Sequence, residues 1–109
     1  MTLRWRPEDG RSWNLGSITS HGELWLDYLG QQAKVAGMSD LHQRYLDTLA
    51  ETVPGAQVNK TPKPAAWNLK REGRFLTVKE LLADHQREDR WLQAVENFQE
   101  GVLKRSHDN

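Results

Sequence analysis

The sequence predicts an α+β fold in which two short β-hairpins, able to join into one small antiparallel sheet, pack on an αα-hairpin and a long C-terminal helix. The tripeptide Trp-Asn-Leu occurs at residues 13–15 and again at residues 67–69, each time where apolar and polar residues alternate. Each copy is followed by a Ser/Thr-x-x-Glu-Leu signal for the start of a helix, at Ser20 and at Thr77. Beyond each signal, apolar residues recur every three or four positions, as they do along one face of a helix.

The two Trp-Asn-Leu copies divide the chain into similar halves. Outside the tripeptide and the helix signal the halves share little identity, and aligning both features needs a three-residue gap. An internal duplication explains the echo, and so does the common order of a strand before a helix. The repeat therefore informs architecture more than function.

Residues 1–18 are predicted to form the first β-hairpin. Residues 2–6 and 11–15 alternate between apolar and polar side chains, which is the pattern of a half-buried strand. Between them, the Pro-Glu-Asp-Gly sequence at residues 7–10 is typical of a turn, because proline presets φ and glycine accepts the closing geometry.

Residues 20–53 are predicted to form the αα-hairpin. Its first helix is expected to begin at Ser20, whose hydroxyl would accept a backbone N–H from the first turn. Gly37 is suited to end that helix, and the next helix is expected to begin at residue 39 or 40 and to end before Pro54. Such a short connection is typical of two antiparallel neighbouring helices.

Residues 56–66 are predicted to be an extended linker or surface loop, because Pro62 and Pro64 stand beside lysines there. Residues 67–76 are predicted to form the second β-hairpin, with a turn that ends at Gly73.

Residues 77–105 are predicted to be helical. Thr77 is placed to cap the start, and Glu80 completes a capping box. The stretch from residue 84 to residue 90 is almost wholly polar and separates two apolar stripes. A short helix and a longer one that meet near Gln86 are therefore favoured over one continuous helix.

The composition is that of a single domain, and we expect it in the cytoplasm. A chain of 109 residues is long enough for one domain with its own core. It has no cysteine, which excludes disulfides, iron–sulfur clusters and thiol catalysis. The N-terminal residues lack the apolar core of a signal peptide, and no apolar run approaches the roughly 18 residues of a membrane span. We therefore expect no membrane association.

The charge is neutral overall but unevenly distributed. Residues 54–75 hold five basic residues and one acidic residue, a net charge of +4, whereas residues 19–53 hold two basic and five acidic residues, a net charge of −3. Overall neutrality counts against a dedicated DNA-binding domain. Five tryptophans are many for this length, and tryptophan is enriched at binding hot spots. The profile is that of a small, tryptophan-rich bacterial or phage accessory protein.

The sequence contains no strong motif for catalysis, cofactor binding or metal binding, so we predict no enzyme, no cofactor and no metal. It has no nucleophile elbow, phosphate-binding glycine loop or dinucleotide fingerprint. His85 and Asp89 have the spacing at which an imidazole and a carboxylate share one helix face, but no third ligand accompanies them, so a solvated helix surface is preferred. His42 lies near a predicted helix start, where the helix dipole favours the neutral imidazole.

We expect a non-catalytic protein-binding module that acts as an adaptor, an inhibitor or a subunit of a larger assembly. The predicted helix is apolar nearly all round at Leu24 and Trp25, so it either packs wholly in the core against the terminal helix or presents a second apolar face to a partner, the interpretation preferred here. These two residues would anchor in a partner pocket, while Lys70, Arg71 and Arg74 would steer an acidic surface. The partner is expected to be another protein or a second copy of the chain.

The alternative is a nucleic-acid-binding regulator that uses the basic segment 60–74. Basic side chains interleaved with aromatic ones suit single-stranded nucleic acid, because bases stack on rings while phosphates pair with cations. The residues concerned are Lys60, Lys63, Trp67, Lys70, Arg71 and Arg74, with Phe75 beside them.

Overall fold

The computed structural model describes residues 1–7 and 12–107, with side chains as far as residue 105. It confirms the α+β class. The strands are β1 (Thr2–Trp5), β2 (Trp13–Ile18), β3 (Leu24–Trp25), β4 (Ala56–Asn59), β5 (Asn68–Arg71) and β6 (Arg74–Phe75). The helices are α1 (Asp27–Val35), α2 (Ser39–Thr52), α3 (Val78–Leu81) and α4 (His85–His107), and a 3-10 turn covers Pro64–Ala66.

The first sheet has the strand order β1-β2-β3 and is antiparallel throughout. β1 pairs with β2 from Thr2 opposite Ser17 to Trp5 opposite Trp13, which confirms the first hairpin. Most of the turn predicted at residues 7–10 lies outside the described residues.

The predicted helix start at Ser20 is wrong. Ser20 lies in a turn, in which Thr19 Oγ1 accepts the backbone N–H four residues further on at 3.1 Å. The residues that follow form β3, and Leu24 donates its N–H to the carbonyl of Leu76 at 2.8 Å. α1 begins only at Asp27, because strand pairing across the molecule outweighs a local capping signal.

The αα-hairpin is confirmed for α1 and α2. Gly37 has φ of +73°, the left-handed conformation that glycine adopts readily. Its N–H is donated to the carbonyl of Lys34 at 3.1 Å, and Met38 donates to the carbonyl of Ala33 at 2.7 Å. These two bonds form a Schellman motif, so Gly37 ends α1 as predicted. α2 ends before Pro54, also as predicted.

The second sheet has the strand order β4-β5-β6, and it overturns the linker predicted for residues 56–66. β4 pairs with β5 from Ala56 opposite Arg71 to Asn59 opposite Asn68. The first part of the predicted linker is therefore an edge strand. The prolines allow this because both come after β4, where they interrupt no ladder hydrogen bond.

The rest of the predicted linker packs closely against α1. A Cβ atom built on Gly30 would lie 1.9 Å from the carbonyl oxygen of Ala65, so only glycine permits this approach. Ala65 is buried. The 3-10 turn therefore belongs to the packed body of the protein and is not a solvated loop.

The second hairpin is confirmed for β5 and β6, with Lys70 opposite Phe75. Glu72 and Gly73 connect the strands with φ of +54° and +78°. Positive φ at both central residues is typical of the type I′ turn, whose twist matches that of the strands.

The two sheets meet edge to edge over a few residues and remain two sheets instead of one. Glu23 and Thr77 form an isolated antiparallel bridge, and Val78 donates its N–H to the carbonyl of Gly22 at 3.0 Å. Together with the bond from β3 to Leu76, this contact joins the two halves of the chain.

The first Trp-Asn-Leu copy lies on β2, the central strand of its sheet, and the Asn-Leu of the second copy begins β5, the central strand of the other sheet. Their asparagines have different partners. Asn14 Oδ1 accepts the N–H of Gly16 at 2.9 Å, whereas Asn68 Oδ1 accepts the N–H of Leu26 at 2.6 Å. The two copies therefore share a position in the fold but not their contacts.

The capping box at Thr77 is confirmed. Thr77 Oγ1 accepts the N–H of Glu80 at 3.2 Å, and Glu80 Oε1 accepts the N–H of Thr77 at 3.2 Å. α3 lasts one turn and the longer α4 follows, which confirms two helices. They meet at Asp84 and not at Gln86, because Asp84 Oδ1 accepts the N–H of Arg87 at 2.9 Å and so caps α4.

The core lies where α2 and α4 pack against the sheets. The ring of Trp13 contacts that of Phe98 edge to face, with centroids 5.4 Å apart. Trp91 Nε1 donates to the hydroxyl of Tyr45 at 3.0 Å, and that hydroxyl donates to the carbonyl of Leu15 at 3.1 Å. This chain of hydrogen bonds links α4, α2 and β2. Among the described helices, none combines the length and the apolar character needed to cross a membrane.

Candidate protein-binding site

Leu24 cannot contact a partner as predicted, because its side chain is fully buried. The prediction assumed a helix, whereas Leu24 and Trp25 are neighbours on β3. Successive side chains of a strand point to opposite faces, so Leu24 enters the core and Trp25 points outward.

Trp25 is 37% exposed and belongs to a small aromatic patch on the outside of the molecule. Its ring centroid lies 5.6 Å from that of Phe75, and Lys70 Nζ lies 5.2 Å from the centroid of Phe75. The patch, formed by Trp25, Lys70 and Phe75, lies where the two sheets meet. The structure therefore brings together one predicted anchor and one predicted steering residue.

Arg71 and Arg74 are opposite each other in the hairpin but have different surroundings. Arg71 Nη1 lies 2.9 Å from Glu80 Oε2, so its charge is balanced within the molecule. Burial would raise the pKa of Glu80, but hydrogen bonds from Arg71 and Thr77 outweigh it and hold that pKa below its usual value. Arg74 is exposed. Of the two arginines, Arg74 is the better placed to steer a partner.

The remaining basic residues of segment 60–74 are on the surface, and one of them covers an aromatic ring. Lys60 and Lys63 are exposed. Lys60 Nζ lies 5.5 Å from the ring centroid of Trp67, whose Nε1 donates to the carbonyl of Thr61 at 2.9 Å. A nucleic-acid base would have to displace Lys60 to stack on that face of Trp67.

His85 and Asp89 do not form a site together. His85 is exposed, and its Nδ1 lies 3.4 Å from Glu88 Oε2. Within the part of the chain that the structure describes, no group of three or more His, Cys, Asp or Glu residues is arranged to hold a metal ion.

A groove that is lined mainly by apolar side chains and is open to solvent lies between β1 and α4, here called the β1–α4 groove. Its volume is about 560 Å³. Ten of its lining residues are apolar: Met1, Leu3, Trp5, Leu15, Ile18, Val78, Leu82, Trp91, Leu92 and Val95. Arg4, Glu88 and Gln99 complete the lining. Leu92 is 61% exposed and stands at the opening.

The sequence contains only a weak signal for this groove. Along α4 it shows Leu92 beside the stripe that begins at Trp91, which widens the apolar face without revealing what that face meets. The sequence of β1 does not predict the groove either, because Leu3 and Trp5 alternate with polar residues as in any half-buried strand. The groove forms because α4 covers only part of the apolar face of β1.

Comparisons with known proteins return no match: no family model, no curated protein and no solved structure matches this chain.

Proposed function

We propose that this protein is a non-catalytic binding module that holds an apolar segment of another protein in the β1–α4 groove. The observation that carries the proposal is the lining itself, in which ten apolar side chains surround a space open to solvent. Contiguous apolar surface with polar residues at its rim is a common feature of sites that bind another protein. An adaptor, an inhibitor or a subunit of a larger assembly would all use such a surface.

The composition of the groove suits a strong contact. Trp5, which is half-buried, lines it, and tryptophan is the side chain most often found to dominate binding energy. Removing a leucine-sized side chain from water is worth about 1.5–3 kcal/mol before the costs of association. Leu92 is largely exposed, so a partner that buries it would gain much of that free energy.

The aromatic patch is a second contact region for the same function. Trp25 offers exposed ring surface, and Lys70 and Arg74 bring positive charge beside it. Such charges act mainly on the rate of association with an acidic partner. They would steer a partner toward the molecule, while the groove would supply most of the affinity.

Binding of nucleic acid has less support. The positive segment 54–75 favours it. Against it, Arg71 is already paired with Glu80, and lysines already lie over the rings of Trp67 and Phe75. A base would gain stacking energy only after displacing those lysines.

Selection from a displayed library of random peptides tests the proposed function. We expect enrichment of peptides with several apolar residues, and binding measured by calorimetry that persists in high salt. Leu92→Asp should weaken that binding by about tenfold or more, because a charged side chain would enter an apolar interface.

Leu103→Asp is the matched control, because Leu103 is an exposed leucine of α4 (41%) that does not line the groove. Its binding should equal that of the unsubstituted protein. Failure to enrich peptides, or equal losses in the two variants, would refute the proposal. Binding of a random oligonucleotide pool that is lost in high salt and in a Lys70→Glu, Arg74→Glu double variant would favour nucleic acid instead.

A further inference from the structure

One side of the β1–α4 groove is bordered by the open edge of a sheet. β1 is the outermost strand of its sheet, and none of the described strands pairs with its other edge. Met1 and Ile18 exchange both backbone hydrogen bonds, at 3.0 Å and 2.7 Å. Bonded and non-bonded pairs alternate in an antiparallel ladder, so the N–H and C=O of Thr2 point away from β2.

Arg4 directs its backbone groups the same way as Thr2. Alternate residues of an extended strand share one orientation. The pairing agrees, because Asn14 lies opposite Arg4 yet donates its N–H to Gln32 Oε1 at 2.7 Å. The open edge of β1 therefore presents two N–H and two C=O groups, spaced as a further strand would need them.

The two sides of the groove, one formed by β1 and the other by α4, are similar in length. The lining residues of one side extend from Met1 to Trp5, and four steps of about 3.3 Å make that side roughly 13 Å long. Residues 88 to 99 of α4 line the other side, and eleven steps of about 1.5 Å make it roughly 16 Å long. An extended segment of about four or five residues fits between them.

The two faces of β1 differ in chemistry. Leu3 and Trp5 line the groove, whereas the alternation of the strand turns the side chain of Arg4 toward the opposite face, where it lines a second cavity with Asn14 and Gln32. Arg6 is exposed. Paired residues of neighbouring strands place their side chains on the same face. A segment added to β1 would therefore meet apolar surface with alternate side chains and positive charge with the others.

We infer that the β1–α4 groove binds an extended segment of another protein, which adds to the open edge of β1 as a fourth strand of the first sheet. Its alternate side chains are apolar and enter the groove, and the intervening ones are acidic and lie beside Arg4. This inference rests on the proposed function and specifies the shape and chemistry of the bound segment.

Two other occupants fit the same observations less well. A bound helix would fill the groove but would leave the backbone groups of Thr2 and Arg4 without partners, because a helix satisfies its own. A second copy paired through β1 would place two Arg4 side chains on one face of one sheet, and like charges at such positions repel.

The first probe is the capped peptide Glu-Val-Glu-Leu-Glu-Val-Glu, titrated into the full chain by calorimetry. Two variants carry the same number of N-methyl groups, one on the three apolar residues and the other on three glutamates. In a strand only alternate N–H groups point toward the neighbour. One variant should lose binding more than tenfold, and the other should bind within about threefold of the parent peptide.

Loss confined to the glutamate-methylated peptide identifies antiparallel addition, and loss confined to the other identifies parallel addition. Equal effects of the two variants would overturn the inference. If Leu92-dependent peptides emerge from the library but this peptide does not bind, strand addition fails while the proposed function stands. If neither binds, both fail.

A charge exchange at Arg4 adds a second, independent readout. Arg4→Glu should weaken binding of the glutamate peptide by about twofold to fivefold, as expected for one cross-strand pair. It should strengthen a peptide in which lysine replaces glutamate. An unchanged preference would overturn the predicted position of the acidic side chains, and a Leu92-dependent dimer that binds no peptide would assign the groove to a second copy.

Discussion

A single buried histidine gives the molecule a dependence on pH. His42 lies in α2 and is almost wholly buried. Burial is the main reason that its pKa lies below 6.5, and a backbone hydrogen bond with Leu26 opposes that shift only in part. Its Nε2 has no hydrogen-bond partner among the described residues. The sequence predicted a neutral imidazole from the helix dipole, whereas the cause that the structure shows is burial.

The free energy of unfolding should fall when the pH is lowered below about 6.5, because the unfolded chain then binds a proton at His42 that the folded chain excludes. Above that pH the His42 imidazole is neutral in both the folded and the unfolded chain, so it does not make the free energy of unfolding depend on pH. The slope due to one such group is at most about 1.4 kcal/mol per pH unit. Urea unfolding followed by circular dichroism, from about pH 7.5 to about pH 5, measures it.

His42→Gln should have a shallower acid slope than the unsubstituted protein, whereas substitution of the exposed His21 should leave the slope as it was. Identical slopes for all three proteins would contradict the role of His42. Asp40 does not interfere: a hydrogen bond from Arg105 lowers the pKa of Asp40 to about 2, so its contribution is lost only as the pH falls below about 4.

At the scale of elements, a side chain of α1 takes the place of a missing strand. β3 is two residues long and pairs only with Ser17 and Ile18, which leaves the start of β2 without a strand on that side. Gln32 Oε1 accepts the N–H of Asn14 at 2.7 Å, and Gln32 Nε2 donates to the carbonyl of Ser12 at 2.8 Å. The amide thus makes the two bonds that a neighbouring peptide group would make.

Gln32→Ala should lower the free energy of unfolding by about 1–3 kcal/mol, because it leaves two part-buried backbone groups without partners. Gln32→Glu should also destabilise, since a carboxylate cannot donate to the carbonyl of Ser12. Chemical denaturation measures both changes. Gln31→Ala, at the exposed neighbouring position of α1, is the control and should change stability by no more than about 0.5 kcal/mol. Equal losses of stability at positions 31 and 32 would contradict the role of the Gln32 amide as a substitute for a neighbouring strand.

The elements that could be predicted from sequence are those set by neighbouring residues. The Schellman ending at Gly37 and the capping box at Thr77 need only a few consecutive residues, and the two hairpins need only alternation and a turn. β3 and β4 were missed because local signals indicated other structures, a helix start at Ser20 and a proline-rich linker after residue 56. Strand pairing outweighed both signals: β3 pairs with β2 and bonds to Leu76, and β4 pairs with β5.

The candidate site was less predictable than the fold. Trp25 and Arg74 lie on the surface where they were expected, but Leu24 enters the core because a strand, and not a helix, contains it. The β1–α4 groove depends on the separation between a sheet edge and a helix more than 80 residues away, which no local pattern encodes.

At the scale of the whole molecule, the two sheets share one hydrophobic core. Residues of both sheets and of all four helices contribute to that cluster. The bridge between Glu23 and Thr77 joins the sheets directly. A chain held together in this way is expected to unfold in one cooperative step.

Hydrogen exchange tests that expectation. Val58→Ala removes two methyl groups from β4 and should destabilise the protein by roughly 1–2 kcal/mol. The slowest-exchanging amides of β2, in the other sheet, should lose as much protection as those of β5. Unchanged protection in β2, with a loss confined to β5, would mean that the two halves unfold separately and that the chain is not one domain.

The close approach of the 3-10 turn to α1 restricts how the sequence can change during evolution. Glycine inside a helix costs roughly 1 kcal/mol relative to alanine, so drift would tend to replace it wherever nothing opposes the change. Here the carbonyl of Ala65 occupies the space that any side chain at position 30 would need. Diverged chains that retain this architecture should therefore keep glycine at that place after most of their surface has changed, and that one conserved position would mark common ancestry where overall identity no longer does.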